Sequence, residues 1–152
     1  MIVYRISVDK YASDLSGTGS RLYGGRWTPK GFPVLYSASN PSLALLELYV
    51  HIKNSTPPNL KLIKLVIDEK YLTKKTFRIP DLPSYWKENP APEALQLIGQ
   101  EWITESKTLA MEVPSSIMPE DTNYIINVGH KDFINAVSVL SITDCPLDKR
   151  LV

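Results

Sequence analysis

The segment GGRWTPKGFPVLYSASNPSLALLELYVH, residues 24–51, predicts a turn, a strand and a helix in close succession. A Pro-Lys-Gly sequence at 29–31 predicts the turn, and residues 34–37 form the short strand. Asn40-Pro41 then predicts the start of a helix, because asparagine caps the free backbone N–H groups and proline fits the first helical position. We expect this helix to span residues 41–53 and to end before a Pro-Pro pair.

Outside this segment, short stretches rich in apolar and β-branched residues predict further strands. One stretch has leucine, isoleucine and tryptophan at helical spacing and predicts a second helix. Short strands around two helices, without regular strand-helix alternation, predict an α+β domain with a mixed, mostly antiparallel sheet and flanking helices. We expect a single domain over residues 1–152. The predicted strands are residues 2–7, 60–67, 108–113, 124–126 and 136–142, the second helix is 92–104, and the loops include 9–25 and 69–89.

The composition is typical of a folded soluble domain, with 152 residues, 43% hydrophobic, 22% charged and a formal net charge of +1. Nucleic acid is not the expected partner, because lysine and arginine are scattered and their densest cluster, Lys74, Lys75 and Arg78, suggests a solvated loop. A single cysteine excludes an internal disulfide, and two histidines do not supply the clustered ligands of a structural zinc site.

The sequence has no apolar run of membrane-spanning length and no signal-peptide pattern, so we expect a cytoplasmic protein that does not bind a membrane. Gly17-Thr18-Gly19 resembles part of a nucleotide-binding loop. A third glycine at the dinucleotide spacing and a Gly-Lys-Ser/Thr sequence are both missing, and no helix is predicted to follow. We therefore interpret these residues as part of the loop.

Glu47 is the only charged residue in the first ten positions of the predicted helix. This helix is nearly all apolar there, so we expect it to be buried on most sides. A carboxylate among leucines either has a partner or has a raised pKa, and both situations are frequent at active sites. The alternatives are that Glu47 pairs with His51 one turn later, or that the helix has a narrow polar stripe at this position.

Arg26 lies between a pair of glycines and Trp27, where the backbone can approach a ligand and a guanidinium can hold phosphate. Tyr36, near the end of the strand, could stack on a flat heterocycle or bind it through its hydroxyl. Each has a structural alternative: Arg26 could stack on Trp27 or bridge to a surface acid, and Tyr36 could belong to the core. Ser115 has no nucleophile elbow around it, so its hydroxyl is expected only to form hydrogen bonds.

The sequence NYIINVGH carries three polar side chains, and turn capping is the favoured interpretation of its asparagines. For the histidine we favour a hydrogen bond to a buried carbonyl group. These residues are Asn123, Asn127 and His130.

Taken together, GGRWTPKGFPVLYS, LALLELYVH, the Asp-Leu-Pro to Trp86 segment, IGQEW, MEVPSS and NYIINVGH resemble the RES domain family, the toxins of RES-Xre toxin-antitoxin modules. The resemblance covers nearly the whole chain. The family's arginine, tyrosine, glutamate and serine match Arg26, Tyr36, Glu47 and Ser115. The chain differs at turns, with Thr28 where asparagine is usual and with Val-Gly and a lysine where prolines commonly surround the histidine.

The resemblance implies a fold similar to the ADP-ribosyltransferase toxins and cleavage of the nicotinamide-ribose bond of NAD, without a metal. Glu47 would stabilise the ribosyl cation, Arg26 would hold the diphosphate, Tyr36 would stack near the nicotinamide, and Ser115 would bond the ligand or Glu47. Trp27 joins the expected NAD-binding residues. An Xre-type antitoxin, which would itself bind DNA, is the implied partner, and a homodimer is left open. The alternatives are ADP-ribosylation of a host protein and a domain that only binds a nucleotide or its partner.

Overall fold

The computed structural model describes residues 1–52, 55, 57 and 59–151. Within these residues the chain forms seven strands and four α-helices, with short 3₁₀ turns at Asp9–Tyr11, Ile79–Asp81 and Lys149–Leu151. In chain order the elements are β1 (Ile2–Val8), α1 (Thr18–Tyr23), β2 (Val34–Ala38), α2 (Pro41–Ile52), β3 (Leu60–Ile67), β4 (Lys74–Thr76), α3 (Glu93–Glu105), β5 (Ala110–Pro114), β6 (Thr122–Asn127), α4 (Phe133–Ala136) and β7 (Val137–Asp144).

The strands form one sheet in the order β4-β5-β6-β2-β1-β3-β7. Five of its neighbouring pairs are antiparallel, and only β4 and β5 run parallel. The predicted α+β class with a mostly antiparallel sheet is therefore confirmed.

The core has separate apolar clusters on the sheet. In one, Leu95 and Trp102 of α3 pack with Met111 of β5 and Ile125 of β6, and Tyr36 contacts this cluster. Another is centred on β1 and β3. Tyr36, one of the candidate site residues, therefore packs against the cluster that α3 forms with β5 and β6.

The helix α2 begins at the predicted Asn-Pro sequence, where the Asn40 side chain accepts from the N–H of Leu43 at 2.8 Å. The predicted last residue, Lys53, lies outside the described residues. The expectation that α2 is buried on most sides is wrong. Only Leu43 and Ala44 are fully buried, whereas Tyr49 and Val50 are exposed. The reason is that α2 contacts the sheet along β1 and β2 with one face only.

Two predicted loops contain regular structure, and these predictions are wrong. Residues 9–25 include the six-residue α1, which starts after Gly17 in the left-handed conformation, with φ of 70°. Serine, aspartate and glycine are typical of loops, and a helix of six residues is too short to show a clear helical pattern among them. Residues 69–89 include β4, where Lys74 bonds Glu112 at 3.0 Å instead of lying in a solvated loop. A three-residue strand is too short to show an alternating pattern.

None of the helices in the described part of the chain is both long and apolar enough to cross a membrane.

Candidate functional site

Glu47 points from α2 toward the adjoining ends of β5 and β6. Its Oε1 accepts a hydrogen bond of 2.8 Å from the Ser115 hydroxyl and one of 2.6 Å from the Asn123 side-chain amide. The donors are near each other because β5 and β6 pair antiparallel, with Val113 opposite Asn123. We refer to Glu47, Ser115 and Asn123 as the carboxylate cluster. It satisfies the expectation that a carboxylate among leucines has a partner.

The Ser115 hydroxyl can only donate to Glu47. This side chain is fully buried, and its oxygen accepts hydrogen bonds of 3.1 Å from the backbone N–H groups of Ile117 and Met118. A hydroxyl has one proton and two acceptor positions. Because both acceptor positions are occupied, the proton points at Glu47. The structure therefore matches the interpretation of Ser115 as a hydrogen-bonding residue, with Glu47 as its partner.

Both donors bond the same oxygen of Glu47, and this leaves the other oxygen open. In the described part of the chain, Oε2 receives no hydrogen bond, and the side chain is only half-buried. His51 is exposed on the same helix and forms no ion pair with Glu47 within the residues that the structure describes. The alternative that Glu47 pairs with His51 is therefore wrong.

The Arg26 side chain is held in place by two backbone carbonyl groups. Its Nη1 donates to the carbonyl oxygens of Trp86, at 3.1 Å, and Glu88, at 2.8 Å. The long connection between β3 and α3 thus orients the guanidinium group, whose remaining N–H groups bond no other described residue. Burial lowers the pKa of Arg26, and the negative charge of Glu47 opposes this, with a smaller opposing contribution from Tyr36.

Arg26 and Glu47 act on each other through their charges without neutralising each other. The described ion pairs do not include these two residues, although the carboxylate raises the pKa of the arginine. A cation and an anion held apart by separate partners leave both charges available to a ligand. The arrangement suits a ligand with a cationic part and an anionic part.

The Tyr36 hydroxyl belongs to a hydroxyl chain formed by Ser20, Thr28 and Tyr36. Ser20 donates to the carbonyl of Phe32 at 2.9 Å, so its oxygen must accept from Thr28, at 3.3 Å. Thr28 in turn must accept from Tyr36, at 2.8 Å, and Tyr36 accepts from the N–H of Trp27, at 3.1 Å. Burial raises the pKa of Tyr36, so the phenol keeps this proton. Its hydroxyl is therefore fully engaged within the protein.

The loop that carries Arg26 is pressed closely against its neighbours. A Cβ on Gly25 would lie 2.5 Å from the Tyr36 hydroxyl oxygen, and one on Gly99 of α3 would lie 1.6 Å from the Trp27 carbonyl oxygen. Gln96 of α3 also donates to the Gly25 carbonyl at 3.0 Å. The glycines therefore permit close packing of the loop on α3 and Tyr36. The Trp27 side chain is 2% exposed and lies in the core, so we leave it out of the proposed ligand contacts.

The hydrogen bond from Asn123 to Glu47 was not predicted from the sequence, because this residue was assigned to a turn. For Asn127 the turn is confirmed, since its Oδ1 accepts from the N–H of Gly129 at 2.9 Å. For His130 the prediction is wrong in detail, because Nδ1 accepts from the N–H of Asp132 at 3.2 Å and the ring donates to no carbonyl group of the described residues. Pairing the strands predicted at residues 108–113 and 124–126 as a hairpin would have placed Asn123 beside Ser115.

A cavity of about 440 Å³ lies next to the carboxylate cluster, at the ends of β4, β5 and β6. Its lining includes Arg78, Glu112 and Asp121 but none of Arg26, Tyr36 and Glu47. Within the described residues, no group of three or more histidine, cysteine, aspartate or glutamate side chains is placed to hold a metal ion.

Comparisons with known proteins agree on one family. The family model described as RES domain matches residues 2–148. A protein named Toxin Res from Yersinia enterocolitica is 36% identical over 153 residues, covering 99% of both chains. Another Toxin Res, from Photorhabdus laumondii, is 38% identical over 155 residues, covering 100% of this chain and 97% of the relative. A protein named Prs ADP-ribosylating toxin, from a Sphingobium species, is 36% identical over 134 residues, covering 85% and 83%.

A solved structure shares the fold. The crystal structure of the M. tuberculosis MbcT-MbcA toxin-antitoxin complex contains a chain that matches with a TM-score of 0.76. The match covers 95% of the present chain and 83% of that chain, at 16% sequence identity.

Proposed function

Because this chain belongs to the RES domain family, we propose that it is a toxin that depletes NAD by cleaving the nicotinamide-ribose bond, as an NAD glycohydrolase or NAD phosphorylase. The observation that carries the proposal is the state of Glu47. One carboxylate oxygen is fixed by two donors, while the other receives no hydrogen bond from the described residues. The charge of Glu47 acts on Arg26, with which it forms no ion pair in the described part of the chain.

The chemistry needs a carboxylate placed in this way. When the bond between nicotinamide and ribose breaks, its electron pair leaves with the nicotinamide, which becomes neutral, and positive charge develops on the ribose. Fixed negative charge stabilises such a transition state because it requires no reorganisation during the reaction. The free Oε2 of Glu47 would face the ribose and accept from its hydroxyl groups. Water or inorganic phosphate would then attack the anomeric carbon.

The remaining residues fit the other parts of the substrate. Arg26 would bind the diphosphate with its unoccupied N–H groups, which form a planar fork that matches phosphate oxygens. Tyr36 would stack its ring near the nicotinamide, because its hydroxyl is already engaged by Thr28 and Trp27. Ser115 is buried and bonded to Glu47, so it would act through the carboxylate and not on the substrate.

The proposal includes a protein partner. Relatives named as toxins, and a structural neighbour from a toxin-antitoxin complex, support an antitoxin that neutralises this chain. We propose that the antitoxin is of the Xre type, that it covers the site, and that the pair acts in the cytoplasm.

A second reaction shares the same first step. If the acceptor were a protein side chain, the enzyme would be an ADP-ribosyltransferase, and the relative named Prs ADP-ribosylating toxin favours this alternative. Glu47 would stabilise the same ribosyl cation in both reactions, so only the product distinguishes them.

The test is to mix the purified chain with NAD and to follow nicotinamide and ribose signals by proton NMR, with and without phosphate. We expect free nicotinamide, together with ADP-ribose or ADP-ribose 1''-phosphate, which identifies the acceptor. Glu47→Gln should lower the rate by about 100-fold or more, because it removes the charge that stabilises the cation. The amide oxygen can still accept from Ser115 and Asn123, so the fold should be retained.

Glu112→Gln is the matched control, since Glu112 pairs with Lys74 at the edge of the sheet. It should cleave NAD at the wild-type rate. Intact NAD with the wild-type chain would direct attention to protein ADP-ribosylation or to binding alone. Cleavage by Glu47→Gln at the wild-type rate would contradict the role of the carboxylate.

A further inference from the structure

The Asn123 side chain has a well-bonded nitrogen and an unpartnered oxygen. Its Nδ2 donates to Glu47 at 2.6 Å, whereas Oδ1 is buried and has no hydrogen-bond partner in the described part of the chain. Leaving a buried carbonyl oxygen unpaired costs free energy, so buried amides are normally satisfied at both ends. The arrangement indicates that the bond to Glu47 outweighs this cost.

The orientation of the amide is linked to the charge of Glu47. Turning the amide over would bring Oδ1 against Oε1, and two acceptors cannot form a hydrogen bond while the carboxylate is ionised. Donation of Nδ2 to an ionised carboxylate is a charge-assisted bond, which is stronger than a bond between neutral groups. The bond between Asn123 and Glu47 therefore fixes the orientation of both side chains.

We propose that Asn123 is a positioning residue for Glu47. Together with Ser115 it holds Oε1 and turns Oε2 toward the ligand. Its own amide does not touch the ligand. This inference rests on the proposed function for its catalytic meaning, but the effect on Glu47 can be measured in the protein alone.

The charged groups around the carboxylate cluster are the same in all Asn123 variants, so a change at Asn123 should be visible. Asp121 precedes β6, and its backbone carbonyl accepts from the N–H of Ser115. Asn123 lies on β6 and Ser115 follows β5, and neither carries a charge. From the loop before β2, Arg26 contributes its positive charge. Tyr36 on β2 is close to Arg26, but burial raises the pKa of this phenol and keeps it neutral. His51 of α2 is exposed.

Asn123→Asp is the informative variant because it keeps the size and shape of the side chain. It would place a second carboxylate in contact with Glu47, and two carboxylates so close share one proton. We expect the acid limb of the kcat profile to move to higher pH by about one unit or more, and kcat at neutral pH to fall by about tenfold, with a smaller change in KM. A purely structural residue would leave the position of that limb unchanged.

Asn127→Asp is the matched control on the same strand. Asn127 is buried, its Oδ1 accepts from the N–H of Gly129, and its Nδ2 donates to the Ser106 hydroxyl. Aspartate can keep the first bond and accept from the serine hydroxyl. This variant should retain the wild-type pH profile, since Asn127 is not bonded to Glu47.

A second measurement does not depend on NAD. Labelling glutamate carboxyl carbons with ¹³C and titrating the ligand-free protein by NMR would follow Glu47, whose signal is identified by its loss in Glu47→Gln. We expect the midpoint to move to higher pH in Asn123→Asp and, by less, in Asn123→Ala, which removes the donor without adding charge. The second variant serves if the first does not fold.

The outcomes separate the two proposals. A moved NMR midpoint in a wild-type protein that leaves NAD intact would support the positioning role of Asn123 and refute NAD cleavage. Cleavage of NAD by the wild type, with an unmoved midpoint in folded Asn123 variants, would refute the positioning role alone.

Discussion

The hydroxyl chain and the carboxylate cluster are built over different distances in sequence. In the hydroxyl chain, Tyr36 bonds Thr28 and Trp27, which are eight and nine residues away. In the carboxylate cluster, Glu47 bonds Ser115 and Asn123 across 68 and 76 residues. The first is set by α1, the turn that follows it and β2, whereas the second forms only when α2 packs on a sheet with β5 and β6 in register.

This difference bears on what each region contributes to function. A local network keeps its geometry as long as the turn is intact, so it is suited to supporting a flat ring surface. A cluster assembled from distant segments has its geometry fixed by the whole sheet and places a charge with preorganised donors. We therefore expect changes in the carboxylate cluster to affect the rate of the chemical step more than changes in the hydroxyl chain.

The largest effect among the variants that sharpen this comparison is expected for Ser115→Ala. Glu47 would lose one of its two donors, and the N–H groups of Ile117 and Met118 would lose their acceptor. We expect kcat for NAD cleavage to fall by about 10- to 100-fold and the free energy of unfolding to fall by about 1–3 kcal/mol. Steady-state kinetics and thermal unfolding measure the two effects separately.

Ser37→Ala is the control for loss of a buried hydroxyl. Ser37 lies on β2 and donates to the carbonyl of Tyr124 at 2.9 Å, away from Glu47. It should lower the stability by about 1 kcal/mol and leave kcat unchanged. Equal rates for Ser115→Ala and the wild type would show that the donor on Glu47 is irrelevant to the reaction.

The difference between contacts that are close in sequence and contacts that are distant in sequence also explains what could be predicted from the sequence. Strand β3 was predicted at residues 60–67 and is Leu60–Ile67, because its apolar residues and its flanking turns are local signals. The start of α2 was predicted for the same reason. The partnership of Asn123 with Glu47 was not, since it depends on a hairpin register and on helix packing that no local pattern contains.

The roles of Arg26 and Tyr36 were proposed from the family resemblance, but their surroundings required the structure. The carbonyl groups that hold Arg26 come from Trp86 and Glu88, 60 and 62 residues away, in a connection without regular secondary structure at that point. The burial of Trp27 was also not evident. Its neighbours in sequence are Gly25, Arg26, Thr28 and Pro29, which do not reveal a contact with α3.

An intermediate effect is expected for Arg26→Lys. Lysine keeps the positive charge but loses the planar fork, and it cannot donate to two carbonyl groups while also gripping a diphosphate in the same way. We expect KM for NAD to rise by about tenfold, with kcat within about threefold of the wild type. Arg21→Lys is the control, because Arg21 is exposed on α1. An unchanged KM in Arg26→Lys would count against the diphosphate role.

The smallest effect on the reaction is expected for Tyr36→Phe, which keeps the ring and removes the hydroxyl. Thr28 and the N–H of Trp27 would each lose a partner, so the free energy of unfolding should fall by about 1–2 kcal/mol. Since burial raises the pKa of Tyr36 above that of a free phenol, the wild-type phenol stays neutral over the range of the assay. The variant and the wild type should therefore have superimposable activity profiles between about pH 6 and 9, with kcat/KM within about threefold.

Tyr36→Leu, which removes the ring, should lower kcat/KM by much more than Tyr36→Phe does. Two results would show that the hydroxyl leaves the hydroxyl chain and acts on the substrate. One is a change in the pH profile of Tyr36→Phe at alkaline pH, and the other is a fall in kcat/KM as large as in Tyr36→Leu.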